Sequence, residues 1–280
     1  MHIMRYIRKV HCYLRAKLSI WLLESSTDIH LSSQLIYRLK NYHNGKRAFI
    51  ICNGPSLKAD DLELLHNQKE LTFACNKIDK IFNQTNWRPT YYAVLDETYQ
   101  HSLLQTMQEV PAEIKFFRRE SYLTTRKVKG NKVFLKTFGD KSLLQDCKFS
   151  EDATKGIYTI ATTTYSLIQL AVHMGIRDIY IMGCDNSYSI EIMPDGTSVD
   201  TGRNSYFEGS KQTDQKTAAS TWQMNIAYEY ARQYADANDI RIYNATRGGY
   251  LEAFERVDFD KLFQSCNHKK AGKKRINAQR

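Results

Sequence analysis

Short apolar segments that lack polar alternation place the strongest constraint on how this chain of 280 residues folds. A strand with one face in water alternates polar and apolar residues, whereas a strand buried on both faces does not. The predicted strands are residues 47–52, 71–75, 91–95, 178–182 and 240–244, with weaker ones at 114–117 and 132–135. Helical periodicity is found at 57–65, 160–174 and 220–237. The alternation predicts the α/β class, as a single Rossmann-like domain around a mainly parallel sheet.

Polar and glycine residues follow four of these predicted strands directly. In parallel sheets covered by helices, ligands bind outside the carboxyl ends of the strands. The residues at these ends are Asn53 and Gly54, Asn76, Asp96, and Gly183 with Cys184 and Asp185. We therefore expect them to meet in one crevice.

The turn Asn53-Gly54-Pro55-Ser56 is the sharpest local motif. Glycine lets the backbone approach a ligand closely, proline fixes the exit into a helix, and Ser56 could cap that helix. Amide groups at a helix start favour an anion, and a nucleotide phosphate is the usual one. The alternative is a plain capped turn, because the motif is neither GxGxxG nor a Walker loop.

Three hydroxyls, from Thr162, Thr163 and Thr164, stand at the predicted start of a later helix. They could hold a phosphate or a carboxylate, or act only as capping residues. Asp185 could bind a ribose hydroxyl or an amino group, or cap the next turn. One further acidic pair, Asp258 and Asp260, has DxD spacing, but its place late in the chain favours a helix start over a metal site.

Both ends of the chain are basic and account for much of the net charge of +10. Residues 1–20 and 269–280 contain Lys and Arg but no acidic residue, which predicts an anionic partner. Apolar residues recur at spacings of three and four from Ile3 to Leu22, with Trp21 near the end. Such a basic amphipathic helix suits a bilayer surface, or packs on the domain or on a partner. No nucleic-acid-binding motif accompanies it, so we expect no nucleic acid partner.

The six cysteines are widely spaced and form no CxxC pair, which argues against a zinc site and a disulfide framework. We expect reduced thiols, several of them buried as small apolar side chains. No apolar stretch approaches the ~18 residues of a membrane span, and residues 1–23 lack the pattern of a secretory signal. These features predict a cytoplasmic protein.

Several motifs together resemble known transferases. Residues 51–58 and 73–76 resemble the start of the bacterial sialyltransferases of glycosyltransferase family 42, and residues 176–185 resemble their strand–Gly–x–Asp motif. Residues 242–254 are more similar to the related Maf-type (motility accessory factor) domain of flagellin glycosyltransferases for pseudaminic and legionaminic acids. The resemblance extends from about Arg47 to Phe263.

This resemblance implies a variant of the GT-A fold that uses a CMP-activated nine-carbon sugar, a nonulosonic acid. By position in the motifs, the nucleotide and donor residues are Asn53, Gly54, Ser56, Asn76, Thr162, Thr163, Thr164, Gly183 and Asp185. To these we add Pro55 of the same turn, Asp96 at its strand end, and Tyr188 as a second candidate for a lid tyrosine. Tyr206 corresponds to a tyrosine on a mobile lid that stabilises the leaving phosphate. The family places a catalytic histidine shortly after that tyrosine, but this chain has none there, so Glu208 is the predicted base.

The implied reaction is inverting transfer to a bacterial surface glycan, as in lipopolysaccharide or capsule biosynthesis. It needs no resident cofactor and no metal, with magnesium as an optional stimulant, and homo-oligomerisation is left open. The predicted parts are a basic amphipathic segment at 1–45, a glycosyltransferase domain at 46–263 with a lid at about 186–218, and a basic tail at 264–280. The first segment would hold the enzyme on the inner face of the bacterial inner membrane.

Three other functions are open at this point. One is a transferase that uses another nucleotide sugar. The second is an enzyme like an archaeal pterin pyrophosphokinase, to which the Maf-type domain is related and which uses ATP and magnesium. The third is a membrane-tethered nucleotide-binding protein without catalytic activity.

Overall fold

The computed structural model describes residues 2–96, 102–139, 144–146, 148–207 and 218–264. Its centre is an eight-stranded sheet in which all neighbouring strands are parallel. In chain order these strands are β1 (Arg47–Ile51), β2 (Leu71–Cys75), β3 (Tyr91–Val94), β4 (Ile114–Arg118), β5 (Asn131–Leu135), β8 (Asp178–Met182), β12 (Arg241–Asn244) and β13 (Glu255–Arg256). Across the sheet the order is β13-β12-β8-β1-β2-β3-β4-β5. The predicted fold class is confirmed.

Helices cover both faces of this sheet, as the unbroken apolar strands require. The helices are α1 (His2–Glu24), α2 (Thr27–Leu39), α3 (Ala59–Gln68), α4 (Leu104–Glu109), α5 (Tyr122–Thr125), α6 (Thr163–His173) and α7 (Thr221–Ala237). Successive residues of β1 point to opposite faces. Ala48 and Ile50 join the core formed with α2, α6 and α7, whereas Phe49 and Ile51 join the core formed with α3 and α4.

The predicted elements lie within a few residues of the observed ones, with three differences. The helix expected at 57–65 begins two residues later, at Ala59. The strand at 240–244 is not the last, because β13 follows it and pairs with its end. The amphipathic helix predicted from Ile3 to Leu22 is present as α1, but a second helix, α2, follows it within the segment. They separate at Ser25 and Ser26, whose hydroxyls donate to the carbonyls of Trp21 and Leu23 and so satisfy the end of α1.

The region expected to form a lid contains a small three-stranded sheet that the sequence did not predict. Its strands are β9 (Ile190–Ile192), β10 (Ser198–Asp200) and β11 (Ala218–Ala219), with β9 in the middle. Residues 208–217, including Glu208, lie outside the described residues. A further pair, β6 (Thr137–Phe138) and β7 (Ile157–Tyr158), leads the chain from β5 to α6.

Among the side chains of α1 that the structure describes, those near its C-terminal end pack on the domain. Ser19 and Leu23 are buried, and Arg15 donates to the hydroxyl of Thr124 in α5. Towards the N-terminus its apolar side chains are exposed: Met4, Tyr6, Ile7, Val10, Tyr13, Leu14 and Leu18, together with Trp21. Among the described helices, none has the length and apolar character needed to cross a membrane.

Candidate functional site

A cleft of about 550 Å³ opens at the carboxyl ends of β8, β1 and β2, at the edge where the sequence predicted a crevice. Its wall is built from six stretches of the chain, most of them far apart in sequence. The lining residues include Cys52, Asn53 and Gly54; Cys75 and Asn76; Thr162, Thr163 and Thr164; Gly183 to Tyr188; and Ser205, Tyr206 and Tyr228. We call this the first cleft.

The turn after β1 is locked to the turn after β8. The amide of Gly54 donates to the carbonyl of Gly183 at 2.8 Å. A Cβ added to Gly54 would lie 2.0 Å from Oδ2 of Asp185 and 2.6 Å from the carbonyl oxygen of Gly183. Position 54 therefore requires glycine because the two turns touch, whether or not a ligand is bound.

Ser56 holds Asp185 in place instead of capping a helix. Its hydroxyl and its backbone amide both donate to Oδ2 of Asp185, at 2.8 and 3.2 Å. The next helix, α3, has Lys58 as its N-cap residue. Burial raises the pKa of Asp185, and the two bonds from Ser56 partly offset that shift. Neither Pro55 nor Ser56 lines the first cleft, so Ser56 acts on the cleft through Asp185.

Three asparagines leave buried carbonyl oxygens in the first cleft. Oδ1 of Asn53, Asn76 and Asn186 has no hydrogen-bond partner among the described residues. The orientation of Asn53 is fixed because its Nδ2 donates to the carbonyl of Cys75 at 3.0 Å, and Nδ2 of Asn186 donates to Asn225 at 2.7 Å. An unsatisfied buried acceptor costs about 1–3 kcal/mol, so such oxygens are typical of a site that meets hydroxyl or amino groups of a ligand.

The start of α6 supplies hydrogen-bond donors to the same cleft. Thr162 caps the helix, since its hydroxyl accepts from the amide of Thr164 at 3.3 Å. The residue before it, Ala161, has φ of 53°, a left-handed conformation that costs an alanine about 1 kcal/mol. Thr162, Thr163 and Thr164 at this end of α6 line the cleft, where the helix dipole favours an anion.

Three cysteines lie among these polar groups. Cys52, Cys75 and Cys184 are free and buried, as the sequence suggested for several thiols. Burial raises the pKa of Cys75 to about 12, and a bond to Cys184 together with burial raises that of Cys52. Thiols with such raised pKa values are weak nucleophiles, and we assign Cys52 and Cys75 a packing role.

Two tyrosines from the lid region face the cleft. Tyr188 and Tyr206 both line it, and the amide of Phe207 donates to the carbonyl of Asn53 at 3.2 Å, which attaches this segment to the cleft. Burial raises the pKa of Tyr188 well above its usual value, so its hydroxyl stays protonated. Nζ of Lys77 lies 5.1 Å from the ring centroid of Tyr206.

Asp96 lies in a separate, adjoining cleft of about 490 Å³. This second cleft is lined by Leu95, Asp96, Arg118, Thr159, Ala161, Thr162, Thr163 and Ser166. Thr162 and Thr163 line both clefts, so the start of α6 forms their shared wall. Sequence reasoning expected Asp96 beside the other strand-end residues, but β3 lies beyond β2 in the sheet and Asp96 opens onto the next cleft.

The sequence did not identify several residues of the two clefts. Asn186 directly follows the Gly183–Asp185 motif, and that adjacency could have drawn attention to it. Arg118 was missed because the weaker fourth strand was predicted to end one residue earlier. No local signal marks Tyr228, whose hydroxyl lies 3.3 Å from that of Thr162, because α7 approaches the cleft only through tertiary packing.

His173, the histidine nearest upstream of the predicted lid, packs in the core. Its Nε2 pairs with the carbonyl of Ile36 at 2.9 Å, and its Nδ1 accepts from the amide of Ala153 at 3.2 Å. Asp260 of the DxD pair binds Arg247, while Oδ1 of Asp258 accepts from the amide of Asp260. Both acidic residues thus have local structural partners.

The fold is similar to that of the Maf glycosyltransferase from Magnetospirillum magneticum AMB-1, with a TM-score of 0.50 and 15% sequence identity. The match covers 85% of this chain but only 39% of that one. At this identity the similarity shows the fold alone, and that fold is the one implied by the Maf part of the predicted resemblance. The part that concerns family 42 sialyltransferases rests on the sequence motifs.

Sequence comparison assigns the family. No curated protein sequence matches the chain. Residues 22–191, which carry β1 to β8 and most of the residues of both clefts, match the model described as 6-hydroxymethylpterin diphosphokinase MptE-like. Because that match covers more than half of the chain, the protein belongs to the MptE-like family.

Proposed function

We propose that this protein is a glycosyltransferase that transfers a nonulosonic acid from a CMP-activated donor to a bacterial surface glycan. The observation that carries the proposal is that Asn53, Asn76, Thr163 and Asp185 line one cleft. The similarity in fold to a Maf glycosyltransferase supports this reaction class.

The polar groups of the first cleft suit the parts of CMP. The oxygens of Asn53 and Asn186 would accept from the cytosine amino group and the ribose hydroxyls, which are donors. Asp185, held by Ser56, would accept from a ribose hydroxyl. The amides and hydroxyls at the start of α6 would bind the phosphate. In this arrangement donors face the phosphate and acceptors face the nucleoside.

The proposed chemistry breaks the bond between the anomeric carbon of the sugar and a phosphate oxygen, and the electron pair leaves with CMP. The acceptor oxygen forms a new bond to that carbon and gives its proton to a base. Tyr206 and Tyr188 would donate hydrogen bonds to the departing phosphate, and the raised pKa of Tyr188 keeps its hydroxyl protonated for that purpose. Glu208 remains the predicted base, and inversion at the anomeric carbon remains a prediction. The proposal assigns no metal or resident cofactor to this step.

A lipid-linked or lipopolysaccharide acceptor would explain the exposed apolar side chains of α1. Lys9, Arg15 and Lys17 supply positive charge on the same helix, and anionic lipid adds about 1 kcal/mol per basic residue near the surface. We propose that α1 lies on the inner face of the bacterial membrane. The double variant Leu14→Glu with Trp21→Glu should then release the protein from vesicles that contain phosphatidylglycerol.

Val199→Glu, at an exposed apolar residue of β10, is the matched control for vesicle binding and should bind as the wild type does. These substitutions are preferable to deleting residues 1–23, because Leu23 is part of the core. Equal vesicle binding by the double variant and the wild type would contradict a membrane role for α1.

The family assignment favours a second candidate, an ATP-dependent pterin diphosphokinase. In that reaction the hydroxymethyl oxygen of the pterin would attack the β-phosphorus of ATP, and AMP would leave. The start of α6 would again bind phosphate, with the pterin in the second cleft. ATP with magnesium, rather than CMP, would then be the preferred ligand.

A thermal-shift panel of CMP, CDP, UMP, UDP, GDP and ATP, each with and without magnesium, separates these functions. A ligand present at 100 times its dissociation constant stabilises the folded chain by about 2.7 kcal/mol. We expect the largest shift with CMP and no need for magnesium. A shift with ATP and magnesium alone would support the diphosphokinase, and a shift with UDP or GDP would support another nucleotide sugar. No shift with any nucleotide would contradict both proposed enzymes.

A further inference from the structure

A third cavity, of about 460 Å³, lies beside β5 at the edge of the central sheet and shares no lining residue with either cleft. We call it the edge pocket. Two basic side chains line it, Arg119 directly after β4 and Lys136 directly after β5. The pairing of Arg118 with Leu135 places them at neighbouring strand ends, and neighbouring strands are about 4.8 Å apart. None of the described residues that line the pocket is acidic.

Arg119 keeps most of its guanidinium available for a ligand. The side chain is half-buried, and its single hydrogen bond to a described residue runs from Nε to the carbonyl of Phe134 at 3.5 Å, which is long. The adjacent carboxylate, that of Glu120, contacts Arg118 instead, at 3.4 Å. The N–H groups on the terminal nitrogens of Arg119 therefore have no acceptor among the described residues. Such a guanidinium favours a phosphate or carboxylate that takes two parallel hydrogen bonds.

Lys136 and Ser32 complete the set of donors. Lys136 is exposed, with Nζ 5.0 Å from the ring centroid of Phe138 and no ion pair to any described residue. Ser32 is 2% exposed. Its Oγ accepts from the amide of Phe134 at 3.1 Å, and its own hydrogen has no acceptor in the part of the chain that the structure describes. Two positive groups and a hydroxyl donor, without a carboxylate among the lining residues, suit a phosphate group.

The carboxylate of Asp152, close to the pocket in the chain, already has partners in the protein. Its Oδ1 accepts from the amide and the hydroxyl of Thr154, at 3.1 and 2.6 Å, and its Oδ2 pairs with Lys40 at 2.9 Å. Burial acts to raise the pKa of Asp152, but the bonds from Thr154 and Lys40 outweigh it and lower the pKa to about 2. Asp152 thus leaves the positive charge of the edge pocket available to a ligand.

The edge pocket lies next to the helix that we propose to bind the membrane. The turn Arg119–Ser121 packs on α1, and the amide of Leu123 donates to the hydroxyl oxygen of Ser19 at 3.4 Å. Among the lining residues, Tyr37 of α2 is 72% exposed. A tyrosine, with its apolar ring and polar tip, suits the headgroup layer of a bilayer. At a membrane, a phosphate group that reaches this pocket would therefore belong to a lipid headgroup.

We propose that the edge pocket binds a phosphate group, with Arg119 and Lys136 pairing with its charge and Ser32 donating a hydrogen bond. The group belongs to an anionic lipid headgroup when α1 lies on a membrane, and to a soluble phosphate ester otherwise. The phosphate site goes beyond the proposed function, since it requires neither CMP nor sugar transfer. Only the lipid source rests on the membrane role proposed for α1.

Isothermal titration calorimetry of the full chain with glycerol 3-phosphate, which carries the phosphomonoester of phosphatidic acid, tests the site. We expect the wild type to bind it. The pocket variant, Arg119→Met with Lys136→Met, should bind it at least about 10-fold more weakly, because charge-assisted bonds to both side chains are lost. Arg119→Lys keeps the charge but not the paired N–H groups, so its affinity should fall between the two.

The double variant Arg126→Met with Lys155→Met is the matched control. It removes the same charge from two exposed side chains that do not line the edge pocket, one at the end of α5 and one beside Thr154. It should bind glycerol 3-phosphate as the wild type does. Equal unfolding temperatures show that both double variants are folded. If the pocket variant is less stable, Arg119→Lys and Lys136→Met, each alone, take its place.

Co-sedimentation with phosphatidylcholine vesicles that contain phosphatidic acid identifies the source of the phosphate. The pocket variant and the control carry the same net charge, so a difference between them reports the pocket and not general attraction to the membrane. We expect the pocket variant to bind these vesicles less tightly than the control. Equal vesicle binding by the two, with weaker glycerol 3-phosphate binding by the pocket variant, would overturn the lipid source and leave a soluble phosphate ester as the ligand.

Two results would overturn the phosphate site itself. One is that the wild type does not bind glycerol 3-phosphate. The other is equal affinity in the pocket variant and the control, which would place the phosphate elsewhere, as at the start of α6. The membrane role of α1 is tested separately, because Leu14→Glu with Trp21→Glu should lose vesicle binding and keep the wild-type affinity for glycerol 3-phosphate. CMP binding in the first cleft is measured independently of all these variants.

Discussion

The two ends of the central sheet differ in how their polar groups are satisfied. At the amino end, a cavity between Tyr42 and Glu113 is lined by charged groups, of which Arg47 and Glu70 pair with one another. Arg47 binds both oxygens of Glu70, and Nε2 of His43 lies 2.7 Å from the hydroxyl of Tyr91. At the carboxyl end, the amide oxygens of Asn53, Asn76 and Asn186 have no partner among the described residues.

This difference assigns stability to the amino end of the sheet and ligand binding to the carboxyl end. Paired polar groups at the amino end stabilise the fold without a ligand, whereas unpaired acceptors at the carboxyl end cost stability until a ligand satisfies them. One atom departs from the pattern, Nδ1 of His43, which is buried without a partner among the described residues. Burial lowers the pKa of His43 to about 4, so the ring is neutral at pH 7. Substitutions at the amino end should therefore change the free energy of unfolding but not CMP affinity. Substitutions at the carboxyl end should lower CMP affinity.

The largest effect should come from Gly54→Ala at the carboxyl end. The added methyl group would overlap Asp185 and the backbone of Gly183, so the two turns must separate. Overpacking of this kind costs about 1–3 kcal/mol, and the displaced Asp185 should lower CMP affinity more than 100-fold. Calorimetric titration with CMP and thermal unfolding measure the two effects.

Gly45→Ala is the matched control, because Gly45 precedes β1 at the amino end and has open space around the position of a Cβ. Its φ of 75° makes alanine unfavourable by about 1 kcal/mol, with no loss of CMP affinity. If the two alanine variants bound CMP equally tightly, the close contact of the two turns would not be needed for CMP binding.

The second effect is a pH dependence at the amino end. The pKa of His43 falls from 6.5 in the unfolded chain to about 4 in the folded one, mainly through burial and also through the charge of Lys46. Between these values the unfolded state binds more protons, so acidification from pH 6.5 to pH 4 should lower stability by about 2 kcal/mol. Urea unfolding at several pH values measures this slope.

His43→Gln should flatten that slope, since glutamine does not titrate. The dissociation constant of CMP at pH 7 should not change in this variant, because His43 lies at the opposite end of the sheet. A slope that persists in His43→Gln would assign the pH dependence to other groups.

Asn76→Gly should weaken CMP binding about 10-fold with little change in stability. The backbone of Asn76 has φ of 53°, which glycine adopts without cost, so the variant removes the carboxamide alone. A lost hydrogen bond to a ligand accounts for the decrease in affinity. An unchanged CMP affinity would mean that the unpaired oxygen of Asn76 does not contact the nucleotide.

The smallest effect should be that of Arg47→Met at the amino end. It breaks the ion pair with Glu70, in which both side chains are partly buried, and we expect a loss of about 1 kcal/mol in the free energy of unfolding. CMP affinity should stay at the wild-type value. A decrease in CMP affinity would show that the two ends of the sheet are coupled.

Much of the fold and part of the site follow from local sequence patterns. The unbroken apolar strands predict a covered parallel sheet, and the residues that end β8, β1 and β2 predict one cleft. Both follow because the carboxyl ends of parallel strands share one edge. Asp96 shows the limit of that argument. The argument predicts the edge of the sheet at which a residue lies, but not the order of the strands along that edge.

Other features depend on contacts between residues far apart in the chain. The hydrogen bond from Ser56 to Asp185 joins residues 129 positions apart. The local motif therefore suggests a helix cap, whereas in the structure Ser56 holds the side chain of Asp185 in place. The small sheet around Ile190–Ile192 was missed because its strands are short and half-buried or exposed, which leaves no clear apolar pattern. Arg118 lines the second cleft only because α6 begins beside the end of β4.

A crystal structure of the chain with CMP tests the central claim most directly. The account predicts the cytidine against Asn53, Asn186 and Asp185, with the phosphate at the first amides of α6 beside Thr162 and Thr163. CMP bound at the amino end of the sheet, or with its phosphate away from α6, would contradict it.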